Sequence, residues 1–331
     1  MNSLEMSLVT MDYDFLAPLA CGDVVVEGID LKLERDMAGA VYRSINDPSF
    51  DAGEVSFARH LMGLAKGDRR FVGIPFFLQW GFRHRHFMVR RDSGLRGLRD
   101  LEGKRVGCMD WSSTGSVWAR AAMREQGVRI ERIEWLIGPV GDDQGGAPTG
   151  RPWRADEARP SYVKTALPDR SLFDMLRDGQ LDAVVAMLRR PDGFYEPNSP
   201  IVRLLPDYPR AEREYYLKTA VYPAYHLVAV RREFFDPHPW AALALYDGLE
   251  RSKRRWDANR LLLAETTPWL LRDIEDAQRL MGADWRPSGV APNFAMIKAF
   301  CDELSAQELV DKPIDPRTVF KEFESFRPVT T

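Results

Sequence analysis

FRHRHFMVRRDSGLRGLRDLEGKRVGCMDWSSTGSVWARAAM, from Phe82 to Met123, and AYHLVAVRRE, from Ala224 to Glu233, carry the reading of this fold. Each piece has a His-bearing polar head running into an apolar strand that ends in paired arginines. That is the pattern expected if two similar strands take the chain out of one lobe and bring it back. A cleft between two lobes follows, with histidines at its edge.

Working outward, KRVGCM reads as a short buried strand. The polar run from Asp110 to Gly115 then opens a helix with Val117, Ala121 and Ala122 inward. IEWLIG is another strand, and the Gly- and Pro-rich segment Gly141 to Ser161 reads as a long surface loop. In DRSLFDMLRDGQLDAVVAM, Ser171 caps a helix, Gly179 stops it, and Leu181 to Met187 form a buried strand. Upstream, VVVEGIDLKLERD has strand composition, with a Glu-Gly turn in its middle. A strand ending near Glu54 and Val55 gives way to a helix headed by Ser56, with Leu61, Leu64 and Ala65 on one face. FVGIPFFLQW contains a proline and suits an edge strand. From Pro237 the chain is mainly helical, with Trp240, Leu243 and Tyr246 on one face, and packs back on the first lobe. Repeated strand-helix-strand units predict an α/β protein with mostly parallel sheets and helices on both faces. The expected division is a discontinuous first lobe, 1–92 and 222–331, around a second lobe, 93–221.

The 331 residues, 45% hydrophobic and 29% charged with net charge -3, allow a sizeable core and give no electrostatic case for a nucleic-acid partner. The three cysteines, Cys21, Cys108 and Cys301, lie far apart in no metal-ligand or disulfide spacing. Asp12 and Asp14 interrupt the place where the apolar run of an export leader would precede Cys21, and no stretch reaches the roughly 18–20 apolar residues that span a bilayer. The expectations are a cytoplasmic location, no membrane partner and no bound metal. Dinucleotide fingerprints, phosphate loops and nucleophile motifs are missing from the sequence.

The chain resembles the 4,5-dihydroxyphthalate decarboxylase family, itself similar to type 2 periplasmic solute-binding proteins. The resemblance lies in EGIDL (27–31), DAGEVSFARHL (51–61), FRHRHFMV (82–89), LEGKRVGCMDWSSTGSVWAR (101–120), GQLDAVVA (179–186) and PAYHLVAVRRE (223–233). It implies a two-lobed type 2 periplasmic-binding-protein-like fold with two crossing strands and the ligand cleft between lobes. It also implies a cytoplasmic, cofactor-independent decarboxylase of a small hydroxylated aromatic carboxylate, and a homodimer. Arg85 departs from the family's commoner Arg-His-Ser triplet, and Cys108-Met109-Asp110-Trp111 stands where relatives often have a Val-Pro-Glu-Tyr type run.

Such a decarboxylation needs an acid to protonate the ring carbon, an anchor for any further carboxylate, and a dry pocket. His84 and His226 are the two candidate proton donors, because imidazole titrates near neutral pH. His86, two residues from His84, would share its face in a strand. Arg83 suits bidentate contact with a carboxylate, provided the strand is bulged or has ended there. Ser113, Thr114 and Ser116 head one helix and Ser56 heads another, where free N–H groups and the helix dipole favour anions. Asp110 and Glu54, at strand ends, are candidates to orient a histidine or accept a phenol proton. Trp111, Trp118 and Phe82 are candidates to stack on a ring, and Arg190 to reach the cleft. The structural alternatives are hinge histidines, an inter-lobe salt bridge at Arg83, ordinary N-caps and core aromatics. The rival functions are capture of a small organic anion without turnover and another lyase activity on the same fold.

Overall fold

The computed structural model describes residues 3–37, 39–141, 159–165, 170–187 and 190–327. The chain begins in a first sheet with β1 (Leu4–Thr10), α1 (Ala17–Ala20), β2 (Ile29–Arg35), α2 (Ala40–Asn46), β3 (Ala52–Ser56), α3 (Phe57–Ala65) and β4 (Phe71–Trp80). It crosses to a second sheet for β5 (Phe87–Arg90), β6 (Arg105–Cys108), α4 (Thr114–Glu125), β7 (Glu134–Ile137), β8 (Val163–Thr165), α5 (Leu172–Arg177), β9 (Ala183–Val185), β10 (Ile201–Arg203) and α6 (Tyr208–Thr219). It returns as β11 (Ala224–Arg231), followed by α7 (Arg232–Phe235), α8 (Pro239–Leu262), α9 (Leu270–Met281), α10 (Phe294–Ala306) and α11 (Lys321–Glu324).

The strand orders are β2-β1-β3-β11-β4 and β10-β5-β9-β6-β7-β8. Within each sheet the ladders are parallel except where one strand runs against its neighbours, and that strand is the first to enter after a crossing: β11 in one, β5 in the other. The two crossings lie side by side, because β4 pairs with β11 and the Gly81 N–H donates to the Pro223 carbonyl at 3.0 Å. Proline fits at β4 because β4 is an edge, and the Pro75 carbonyl accepts the Gly289 N–H at 2.7 Å. Gly28, at φ 74°, supplies the turn that releases β2, and Gly179, at φ 72°, ends α5 as the caps predicted.

The secondary structure departs from expectation at the histidines. The strand through His84 and His86 is a 3-10 turn, His84–His86, in which the His86 N–H donates to the Arg83 carbonyl at 3.0 Å. Residues 87–90 pair with β9 and β10. The second sheet is therefore entered at Phe87. Most of the segment read as a surface loop, 142–158, lies outside the described residues.

Each face of the first sheet has a core. One, around Met6, Leu8, Phe76 and Val228, is closed by α8 and α11. The other joins Phe57, Phe77 and Leu227 to Trp118 of α4 and Phe300 of α10. Phe300 stacks on Phe57 at 4.8 Å between centroids and lies 4.9 Å from Trp118. Trp118 Nε1 donates to the Ala224 carbonyl at 2.9 Å, and Gln307, just past α10, accepts from Arg120 Nε at 2.7 Å and donates to the Val117 carbonyl at 3.0 Å. Helix α10 thus packs against both lobes, where the helical C-terminal region was expected on the first alone.

Candidate active site

Strand β3 delivers Ser56 to the start of α3, and the Asp110–Ser113 run delivers Thr114 to the start of α4. Extended backbone places Ser56 and Ser113 at the two N-cap positions, where the Ser113 side chain caps α4 and that of Ser56 makes no capping bond. The two helix starts meet: Ser56 Oγ and Thr114 Oγ1 are 3.0 Å apart, and the Ala58 N–H donates to Thr114 Oγ1 at 2.9 Å. Beside them, Arg59 pairs with Asp110 at 3.0 Å. Asp110 Oδ1 also accepts the Ser112 and Ser113 N–H groups at 2.8 and 2.9 Å. Asp110 is therefore a latch and cap, not a partner for a histidine. Ser113 Oγ is engaged with Ser116, accepting its N–H at 3.3 Å and lying 3.0 Å from its hydroxyl.

His226 lies level with Ser56 across the β3–β11 ladder. Two residues back on β3, the fully buried Glu54 binds His226 Nδ1 through Oε1 in a short contact. The same oxygen accepts the Tyr13 hydroxyl at 2.6 Å, while Oε2 accepts the Met11 N–H at 2.7 Å. A carboxylate on one ring nitrogen fixes the tautomer and leaves Nε2 as the working atom. The His226 side chain keeps 20% exposure, in contrast to the fully buried Glu54.

Arg83 is 7% exposed and lies flat on the Tyr225 ring, 3.5 Å from guanidinium carbon to centroid. Its Nη2 reaches the backbone at Gly115, where even a methyl group would sit only 2.8 Å away. No carboxylate pairs with it among the described residues, its Nε is buried without a partner, and burial lowers its pKa. An unpaired buried guanidinium against a helix N-terminus is a ready anion site. Because the chain is in a 3-10 turn here, Arg83, His84 and His86 are all buried, which strand alternation would have forbidden.

His84 and His86 differ from His226. Both ring nitrogens of His84 are buried without partners, its ring lies 5.3 Å from that of Tyr215, and burial followed by the Arg85 charge pushes its pKa down to about 4. Burial, then Arg83 and Arg190, push His86 to about 2. Both shifts favour the neutral ring at neutral pH. Arg190 lies over the Phe194 ring, and burial, then the neighbouring Arg203, lower its pKa. Arg85 is held by a two-pronged pair with Glu212, both contacts at 3.0 Å.

Trp111 lies in the second lobe's core, edge-on to Trp135 and Tyr162 and covered by the Arg120 guanidinium at 3.6 Å, so its expected place on the cleft wall is corrected. Trp118 is likewise core. Phe82 is half-buried against Tyr222 at 5.0 Å. Arg189 lies outside the described residues. Tyr13, Arg203 and Glu212 were not singled out from sequence; only the β1 exit, Thr10 to Asp14, hints that a polar ring is placed near a strand end. No group of three or more His, Cys, Asp or Glu that could hold a metal ion occurs among the described residues. Cavities of about 280 and 290 Å³ flank His60, toward the other end of α3 from Ser56.

No protein-family model matches the chain. A 4,5-dihydroxyphthalate decarboxylase from Comamonas testosteroni is 29% identical over 338 residues, covering 99% of this chain and all of that protein. A second protein of that name, from Pseudomonas putida, is 28% identical over 220 residues, 65% of this chain and 83% of that protein. Among solved structures, the periplasmic aliphatic sulphonate binding protein SsuA from Escherichia coli superposes with a TM-score of 0.52 at 13% identity, over 95% of this chain and 96% of that one. A periplasmic sulfonate-binding protein from Methylobacillus flagellatus gives 0.50 at 12%, over 98% and 96%. The fold is thus that of the two-lobed periplasmic binding proteins, and the sequence resemblance to the Comamonas testosteroni decarboxylase runs end to end. No helix among the described residues is long and apolar enough to cross a membrane.

Proposed function

We propose that the chain is a carboxy-lyase that removes one carboxylate, without oxidation, from a hydroxylated aromatic acid of the 4,5-dihydroxyphthalate type. The observation that carries this reading is the end-to-end similarity to a curated enzyme of that activity. The geometry supports it with an acid and an anion site on neighbouring elements. Tyr225, next to His226 on β11, carries Arg83, and Ser56, level with His226, bonds Thr114 beside Gly115.

In this reading Arg83 and the N–H groups at the start of α4 hold a carboxylate. His226, as imidazolium paired with Glu54, transfers the Nε2 proton to the ring carbon that bears the leaving carboxylate. A ring hydroxyl feeds electron density toward that carbon as the proton arrives. The carbon–carboxyl bond then breaks, its electron pair restores the aromatic ring, and carbon dioxide leaves. Imidazole regains its proton from solvent, so one proton is consumed per carbon dioxide released. Arg190 and Arg203 keep the adjoining region cationic, which favours a dianionic substrate over a neutral one. A cytoplasmic location belongs to the same proposal; the free cysteines Cys21, Cys108 and Cys301 are compatible with a reducing compartment.

The test is incubation of purified protein with 4,5-dihydroxyphthalate and with related hydroxylated phthalates and benzoates, following carbon dioxide and the aromatic product. Stoichiometric release of both is the expected result. Tight binding with no product would transfer the preference to capture of a small organic anion, the use to which the sulphonate-binding neighbours are put.

A further inference from the structure

We propose that Tyr13 is a positioning residue that sets the acidity of His226 through the single Glu54 oxygen they share. This inference rests on His226 being the proton donor, but its test does not require turnover. Glu54 Oε1 takes two donors, the Tyr13 hydroxyl at 2.6 Å and His226 Nδ1, while Oε2 is committed to the Met11 N–H. The carboxylate has no solvent to share its charge with, since Glu54 is fully buried. Each donor therefore draws on the same negative charge, and what Tyr13 takes is withheld from the imidazolium.

Tyr13 is locked in that role. Its ring stacks on Phe15 at 5.3 Å, and burial, then the Glu54 charge, hold its phenol well above the ordinary range, so it remains a donor throughout the working pH. The groups that flank His226 add no rival charge. Ser56 on β3 and Gln79 on β4 are its neutral ladder neighbours, and Ser56 is tied to the neutral Thr114 of α4. Tyr225 beside it on β11 faces Arg83. Glu54 and Tyr13 are thus the pair through which the imidazole is tuned.

The functional sense is a compromise. A carboxylate engaged by the imidazole alone would hold its partner's proton most firmly, and a neutral amide in its place least firmly. A phenol on the same oxygen sits between these limits.

The experiment is the NMR titration of the His226 ring nitrogens in the full-length, substrate-free protein, comparing wild type with Tyr13→Phe and Glu54→Gln. Tyr13→Phe should move the His226 ring titration to higher pH, because a competing hydrogen bond to the buried carboxylate is removed. Glu54→Gln should lower it and admit the other tautomer. The basic limb of the kcat/KM profile, where a required proton donor is lost, should move in the same direction as each titration. A Tyr13→Phe variant that melts lower but titrates at the wild-type pH would overturn the proposal, leaving Tyr13 a packing residue. A shifted titration in a protein that never releases carbon dioxide would uphold the tuning and sink the decarboxylase reading instead.

Discussion

Replacing Gly115 with alanine is a sharp test of the anion site, because it disturbs Arg83 without removing it. The added methyl group would lie 2.8 Å from Arg83 Nη2, 3.1 Å from its Cζ and 3.2 Å from Met187 Cγ. Ordinary contact begins near 3.4 Å, so the guanidinium must withdraw by about 0.6 Å. A hydrogen bond to a charged group contributes about 1.5–3 kcal/mol, and forfeiting roughly half of that through a displaced fork costs about 1–1.5 kcal/mol, or roughly tenfold in affinity. The helix itself is not harmed: alanine is favoured over glycine by about 1 kcal/mol in a helix, which offsets the squeeze on Met187. Initial rates against substrate concentration should therefore show KM raised about tenfold with kcat less affected, and the thermal midpoint should stay within about 3 °C of wild type. An unchanged KM in a stable Gly115→Ala protein would refute the assignment of Arg83 as a carboxylate ligand.

His226→Ala should lower kcat by about 10²- to 10⁴-fold while ligand binding by calorimetry is retained; equal loss of both would make His226 an anchor instead of an acid. Acid stability should follow the buried histidines. Burial holds His60 and His84 near pKa 4 and His86 near 2, all below the unfolded value of about 6.5, so the unfolded chain binds more protons and stability falls as pH drops from about 6.5 toward 4. Urea midpoints that stay flat across that window would mean the three rings are protonated in the folded protein. Arg85→Ala strands the buried Glu212 carboxylate and should destabilise folding by roughly 2 kcal/mol, read from the same urea curves; Glu212→Gln in that background should recover part of the loss.

The fold was largely legible because its signals are local. Ser171 and Gly179 bracket α5, Pro75 marks an edge strand, and the two helix starts at Ser56 and Ser113 are written in capping residues. The geometry around His84 was not legible, because a 3-10 turn between two sheets is imposed by where the sheets end. Trp111 misled for a related reason. An aromatic residue just before a helix suits a cleft or a core equally, and Trp135 and Tyr162, which decide for the core, arrive on later elements. Tyr13 went unseen because its partner, Glu54, is 41 residues away and nothing in either neighbourhood points to the other. His84 and His226 looked alike as heads of similar segments, and only burial and the Glu54 contact separate them.

Helix α10 gives the molecule a clock. A protein that ferries solutes surrenders its cargo each time its halves part, so the seam between them must come apart cheaply. Here Phe300 is wedged between Phe57 of one half and Trp118 of the other, and Gln307 stitches the end of the same helix to Arg120. Spreading the halves strips aromatic surface from one side of that wedge and breaks a buried polar link. If the proposed decarboxylation holds, carbon dioxide can leave through a nearly shut crevice, whereas the aromatic product waits for the wedge to yield. On that reading, trimming Phe300 should raise the rate at which bound aromatic product dissociates, read by stopped-flow displacement.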